Sequence, residues 1–390
     1  MDTRVLVVLG NHLLHGQERA NVEVYRALAA DGVDALFATN AAWGAEHVQP
    51  HLDALGLQWA EVPYARHFAR SHTPGQTARN AAAVLRGSRR FLEVARAFRP
   101  THIHVANPHY VLAVLPALLA LRRVPLVYRA GDTPTLHHAL YRTLLRRFII
   151  PRTRVFVCDS AHIRDAWYAA GVPASKLRVV MPPPPARPPR PASDLPPELQ
   201  ASGADRNPAG RVVAFVGQVS PHKGVHHLVD AVSLLADRHP GLRLVVAGHP
   251  VSDDYLADLR RRAGRGAEVI FPGYVEDVDG VLAAADVHAA PSQCEEALGL
   301  VVLEAKRAGT PSVVFPDGGL PELVTEPGVD GLVCADQTPA ALADALDHYL
   351  SMSDDALARA GGVARASLQA LGADEPTFRR AWRDALDAAR

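Results

Sequence analysis

The sequence predicts an α/β chain built as two doubly wound domains facing a central cleft. Three observations carry this reading. Short apolar runs alternate with amphipathic helical stretches, and the series occurs twice along the 390 residues. A proline-rich break separates the two series. Glycine-bearing loops follow the apolar runs, where such sheets bind ligands.

In the first domain (residues 1–181), residues 5–9 form an apolar run of the kind expected of a fully buried parallel strand. Residues 10–16 read as a loop. The helical pattern over 19–30 sets Val22, Tyr25, Leu28 and Ala29 on one face, Gly32 closes it, and 33–38 reads as a second strand. No G-x-G-x-x-G follows, so the dinucleotide fingerprint is absent. Further strands are expected at 102–105, 126–128, 155–158 and 177–180, with a long helix over 77–98. In 141–149, Tyr141, Leu144, Leu145, Phe148 and Ile149 share a face while Arg142, Arg146 and Arg147 lie off it. An ordinary domain helix with a solvated face is the simpler reading, ahead of a basic helix at a membrane surface or an anionic acceptor.

Residues 182–210 read as a semi-rigid linker. Pro182 to Pro185 are consecutive, and five more prolines follow by Pro197, which excludes a helix or a central strand. The second domain (211–365) repeats the alternation, with strands at 212–216, 242–247, 268–271, 287–290, 312–315 and 332–334. That is about six strands in each half. A final helix, 376–390, with Phe378, Trp382 and Leu386 four residues apart, is expected to pack back on the first domain.

Composition removes several function classes. Lys+Arg and Asp+Glu balance at 41 each, so no global field recruits nucleic acid. No run of about 18 apolar residues spans a membrane, though a peripheral contact stays open. The N-terminal segment is short and wrongly flanked for a signal peptide. Three scattered cysteines without metal-ligand spacing suit a reduced cytoplasm. An Ala- and Arg-rich composition suggests a GC-rich bacterial source, and a monomer or homodimer is expected.

The chemistry concentrates in residues 291–309. A turn carrying Ser292, Leu298 and Gly299 joins the 287–290 strand to a helix from Leu300 to Arg307, with Gly309 as its stop. Backbone N–H groups at a helix start attract phosphates. Glu304 lies about 6–8 Å further along at ~1.5 Å per residue, roughly the span from a diphosphate to its ribose. Glu296 lies on the other side of the phosphate position. Upstream, Gly217-Gln218 and Lys223-Gly224 follow the 212–216 strand, and Lys223 is a cation suited to a diphosphate. Tyr274 follows the 268–271 strand, where loops can read a base. Gly318-Gly319 permits close backbone approach to a ligand. Asp277-Val278-Asp279 has the D-x-D form of a metal motif but precedes a helix, where acids suit an N-terminus.

This order of motifs resembles the family-four retaining glycosyltransferases of the two-Rossmann (GT-B) fold. It runs Gly217…Lys223-Gly224, Pro291-Ser292, Glu296-x7-Glu304, Gly318-Gly319…Glu322, Asp330-Gly331. The likeness is dense over about 212–350 and thinner upstream, where Gly16-Gln17-Glu18-Arg19 is similar to the family's glycine loop. The resemblance implies transfer of a sugar from a nucleotide-sugar to a hydroxyl-bearing small molecule or glycan, with retention and without metal or cofactor. The donor is expected to be a UDP-sugar, with GDP- and dTDP-sugars open. Lys223 and the backbone near Gly299 and Leu300 would contact the diphosphate, Glu304 the ribose, Glu296 the sugar, and Gly16 would approach the phosphate.

Three departures stand against the family pattern. Gln218 replaces a frequent arginine. Gly131 stands where the family often has histidine, leaving Arg129, Asp132, His109 and His137 as substitutes, with Asp132 grouped with Lys223 and Glu296 as catalytic. Pro182 to Pro185 replace the usual Asn-Gly turn. These departures keep open a sugar-nucleotide epimerase, a pseudo-glycosyltransferase and a non-catalytic nucleotide-sugar binder.

Overall fold

A computed structural model of the chain describes residues 3–11, 16–40, 48–64, 74–185, 210–263 and 267–390. The chain forms two compact units, Met1–Pro182 with Glu375–Arg390, and Pro183–Asp374. Most of the expected linker, including its later prolines, lies outside the described residues.

The first unit is built on a parallel seven-stranded sheet: β1 (Arg4–Leu9), β2 (Asp34–Asn40), β3 (Gln58–Val62), β4 (His102–Val105), β5 (Leu126–Ala130), β6 (Thr153–Cys158) and β7 (Leu177–Val179). Their order is β3-β2-β1-β4-β5-β6-β7. Five of the six β1 residues are buried, as a strand covered on both faces requires. The expectation of about six strands is corrected by β3. Its sequence, QWAEV, buries only Val62 at the sheet edge, so it carries no continuous apolar run to read. Strand order reverses between β1 and β4, and such a switch point opens a crevice beyond the strands' carboxyl ends.

The helix expected over 19–30 spans Gly16–Ala29. Gly16 and Gln17 therefore form its first turn instead of ending a loop. In the helical stretch after residue 138, Leu144, Leu145 and Ile149 are buried while Arg146 and Arg147 are exposed, which is the domain-helix arrangement. The final helix, Glu375–Ala388, buries Phe378, Trp382 and Leu386 in the core of β1 and the Gly16–Ala29 helix. The Trp382 ring stacks on His104 of β4 at 5.7 Å, and the His104 Nδ1 meets the Tyr25 hydroxyl at 2.7 Å. Burial pushes the His104 imidazole down to about 3, so it packs there uncharged. Arg379 pairs with Asp31 at the helix edge.

The second unit holds a parallel six-stranded sheet: β8 (Val212–Val216), β9 (Arg243–Ala247), β10 (Glu268–Gly273), β11 (Val287–Ala290), β12 (Ser312–Val314) and β13 (Gly331–Val333). The order is β10-β9-β8-β11-β12-β13, so its switch point lies between β8 and β11. Asp277 caps the helix Val278–Ala284, accepting a hydrogen bond from the Gly280 N–H at 2.9 Å, and Asp279 pairs with Arg307. Both acids of the D-x-D triplet are thereby engaged in local structure. Arg307 also donates to the carbonyls of Pro184 and Pro185, tying the start of this unit to the helix Leu300–Ala308.

That helix is fixed from below by a buried ion pair. The Lys306 ammonium and the Asp330 carboxylate are both fully buried, 2.6 Å apart. Lys306 also donates to Ser367 in the helix Asp354–Ala370, at 2.9 Å. Asp330 accepts from the Thr325 hydroxyl and from the backbone N–H groups of Thr325 and Glu326. Removing one partner leaves a buried charge, at a cost of about 3–5 kcal/mol. Lys306→Met should therefore lower the urea midpoint of the second unit strongly. Lys306→Met with Asp330→Leu should recover most of the loss. A single variant as stable as the parent in urea denaturation would show that the pair does not hold the helix.

Candidate functional site

In the second unit the expected donor residues gather at the switch point. The loop after β8 carries Gln218 and Lys223, and the loop after β11 carries Ser292 and Glu296. The Gln293 N–H donates to the His222 carbonyl at 2.7 Å, locking the two loops together. One carboxylate oxygen of Glu296 accepts from both Lys223 Nζ and Ser292 Oγ, the latter at 2.7 Å. Lys223 is thus not the free cation that the sequence suggests. Its charge is already shared with the carboxylate opposite.

Gly299, at φ 92°, caps the helix Leu300–Ala308, which carries Glu304 on its second turn. Glu304 is buried, with only 6 % of its surface exposed. Glu304 and Lys306 differ by two positions, about 200° around a helix, so the face opposite the carboxylate is the one pinned by the ion pair. Leu298 is also buried, which leaves only its backbone available. Gln218 is exposed. Tyr274, after β10, is 63 % exposed and stacks flat on His249 at 5.2 Å. His249 is absent from the sequence-derived set. Its signal was its place just beyond the carboxyl end of β9, next to Gly248.

The paired glycines pack against the chain's own backbone. Gly318, at φ 57°, and Gly319 approach the backbone of Glu296 and Ala297, and the Gly319 N–H donates to the Glu296 carbonyl at 2.7 Å. A Cβ on Gly318 would lie 2.2 Å from that carbonyl oxygen. They shape the Glu296 loop by close backbone contact.

The first unit has its own pocket, at its own switch point. Gln17, Asn107, Tyr128, Asp132, Tyr141 and Trp167 are among its lining residues. The Trp167 indole N–H donates to the Asp132 carbonyl at 2.9 Å, holding the loop after β5. Asp132 is exposed at the pocket's edge, yet the walls around it push its carboxyl above the ordinary range, with Arg129 pulling the other way. The four proposed substitutes for the family histidine separate here. Arg129 is buried and paired with Asp159. His109 and the Tyr141 hydroxyl meet at 3.0 Å. His137 lies exposed against His138, ring centroids 4.1 Å apart. Only Asp132 lines the pocket. Gly16 begins its helix with open space where a side chain would stand.

The family description "Glycosyltransferase Family 4" matches residues 14–183, and "Glycosyl transferases group 1" matches 201–365. The chain belongs to the family-four glycosyltransferases of the GT-B fold. A Mycobacterium tuberculosis D-inositol 3-phosphate glycosyltransferase is 36% identical over 185 residues, spanning 46% of this chain and 36% of that protein's length. An Anabaena protein, HepE, solved in complex with UDP and glucose, superimposes with a TM-score of 0.75 at 20% identity, over 99% of this chain and 100% of that one. A Rickettsia africae glycosyltransferase superimposes with a TM-score of 0.76 at 14% identity, over 99% and 98%.

The space above Gly131 is tight. A Cβ there would lie 3.1 Å from Arg129 Nη1 and 3.3 Å from Asp159 Oδ2. The Arg129–Asp159 pair would have to give by a few tenths of an ångström to admit a side chain at 131. Asp159 and Trp167 escaped sequence reading because their roles depend on contacts 30 and 35 residues away.

Gly318→Ala tests the loop arrangement. Strain at positive φ and the clash with the Glu296 carbonyl should cost about 1–3 kcal/mol. A thermal melt should show a lower midpoint than the parent, and an unchanged midpoint would mean that the Glu296 loop yields freely.

Proposed function

We propose that the protein is a retaining, metal-independent glycosyltransferase that moves a hexosyl group from a UDP-sugar to a hydroxyl-bearing acceptor. The observation that carries this is the convergence of Lys223 and Ser292 on Glu296 at the second unit's switch point, beside the capped helix that bears Glu304. The complex of HepE with UDP and glucose supports a UDP-sugar as donor. The absence of a helix long and apolar enough to cross a membrane, among the described residues, is compatible with work in the cytoplasm.

In this reading the diphosphate sits at the Gly299–Leu300 helix start, and Lys223 turns from Glu296 to neutralise it. Ser292 keeps Glu296 oriented while its carboxylate accepts sugar hydroxyls. Glu304 accepts from the ribose hydroxyls, and the flat Tyr274–His249 pair offers a stacking face to the base. The C1–O bond to the β-phosphate breaks while the acceptor oxygen bonds C1 on the same face. The acceptor's proton leaves on the departing phosphate oxygen. Catalysis then comes from stabilising the leaving diphosphate. The first unit's pocket, edged by Asp132, takes the acceptor.

A thermal-shift panel of UDP-, GDP- and dTDP-sugars tests the donor. At 100 times its dissociation constant a ligand adds about 2.7 kcal/mol of stability, so the UDP-sugars should raise the midpoint most. Glu304→Ala should weaken UDP itself. Glu296→Ala should spare UDP and lose discrimination between sugars. Parent-like binding and transfer by both variants would remove this site from consideration.

A further inference from the structure

The first unit's pocket has a charge pattern that goes beyond a generic hydroxyl acceptor. Among its described lining residues none is Lys, Arg or His, and one, Asp132, is acidic. Its remaining polar surface is neutral, from Gln17, Asn107 and Thr135 with the Tyr141 hydroxyl, set against the Tyr128 and Trp167 rings. The guanidinium of Arg129, beside Gly131, is buried and paired with Asp159. Two carboxylates therefore face one guanidinium, which leaves the cluster with one net negative charge. The acid outside that pair is Asp132, which is exposed at the pocket's edge. No described residue is hydrogen-bonded or ion-paired to its carboxylate, while the Trp167 bond to its carbonyl fixes the backbone beneath.

From this we infer that the acceptor is an amine-bearing polyol whose ammonium pairs with Asp132, and that phosphorylated acceptors are disfavoured. The inference rests on the glycosyltransferase reading and deepens it by naming the acceptor class. An ammonium supplies the charge-assisted hydrogen bond that the carboxylate lacks. The neutral groups of Gln17, Asn107 and Thr135 suit hydroxyls, and the rings suit the apolar face of a saturated ring. A phosphate on the same acceptor would be set against Asp132 with no described cation in the pocket to meet it. Asp132 then acts in recognition, through the ground-state affinity of the acceptor.

Three probes of one ring separate these outcomes: glucosamine, glucose and glucose 6-phosphate. Their binding to the full chain is measured by saturation-transfer NMR without donor, and transfer from UDP-glucose is measured in parallel. Glucosamine should bind about 10-fold or more tighter than glucose, the size of one charge-assisted hydrogen bond, with the 6-phosphate weakest. Asp132→Asn should erase the glucosamine advantage through KM, while Asp132→Glu should keep part of it. Equal binding of the three probes, no binding of glucosamine, or preference for the 6-phosphate overturns the inference. So does an Asp132→Asn variant that melts like the parent and retains the preference, or one that lowers kcat equally for every acceptor. Failure of the protein to bind UDP-glucose instead overturns the donor reading, and the donor-free probe titration separates the two failures.

Discussion

The second unit depends on one constraint, the burial of Lys306 against Asp330. A fully buried ammonium needs its charge and donors satisfied, and here Asp330 and Ser367 accept from it while Thr325 in turn donates to Asp330. The pair fixes the rotation of the helix Leu300–Ala308 about its axis. That rotation determines where Glu304 points and where Gly299 presents the helix start. Arg307, one residue later, fastens the same helix to Asp279 and to the carbonyls of Pro184 and Pro185. The candidate site is thus set from the helix face opposite Glu304.

A second constraint repeats in both units. Each sheet reverses its strand order once, and each reversal opens a place where loops from neighbouring strands meet. In the second unit the meeting brings a cation and a carboxylate together. In the first it brings neutral donors, aromatic faces and a lone acid. The same topology therefore supplies two chemically different sites, and the difference lies in a few loop residues.

The doubly wound plan was legible because buried parallel strands are near-continuous apolar runs, as β1 and β8 are. The edge strand β3 lacks such a run and was passed over. Lys223, Ser292, Glu296 and Glu304 were legible because motif spacing places them at strand ends and on one helix. Their partnership was not, since the approach of Lys223 to Glu296 crosses 73 residues. The glycines at 318 and 319 were legible as a close approach but not as to what, because sequence does not say which backbone lies opposite. His249 and Trp167 were missed for a similar reason, their meaning being a neighbour distant in the chain.

The departure at Gly131 is best understood as a change in how charge is balanced. A side chain at this position would start in tight contact with the Arg129–Asp159 pair. Burial pushes Asp159's carboxyl up to about 6, with Arg129 opposing and Asp132's charge adding. A guanidinium buried there holds Asp159 in place and compensates one of the two acids. The second acid, one residue beyond the glycine, is left facing the pocket. The buried Arg129–Asp159 pair and the exposed Asp132 thus form one charge arrangement around Gly131, one acid paired in the interior and the other at the pocket's edge.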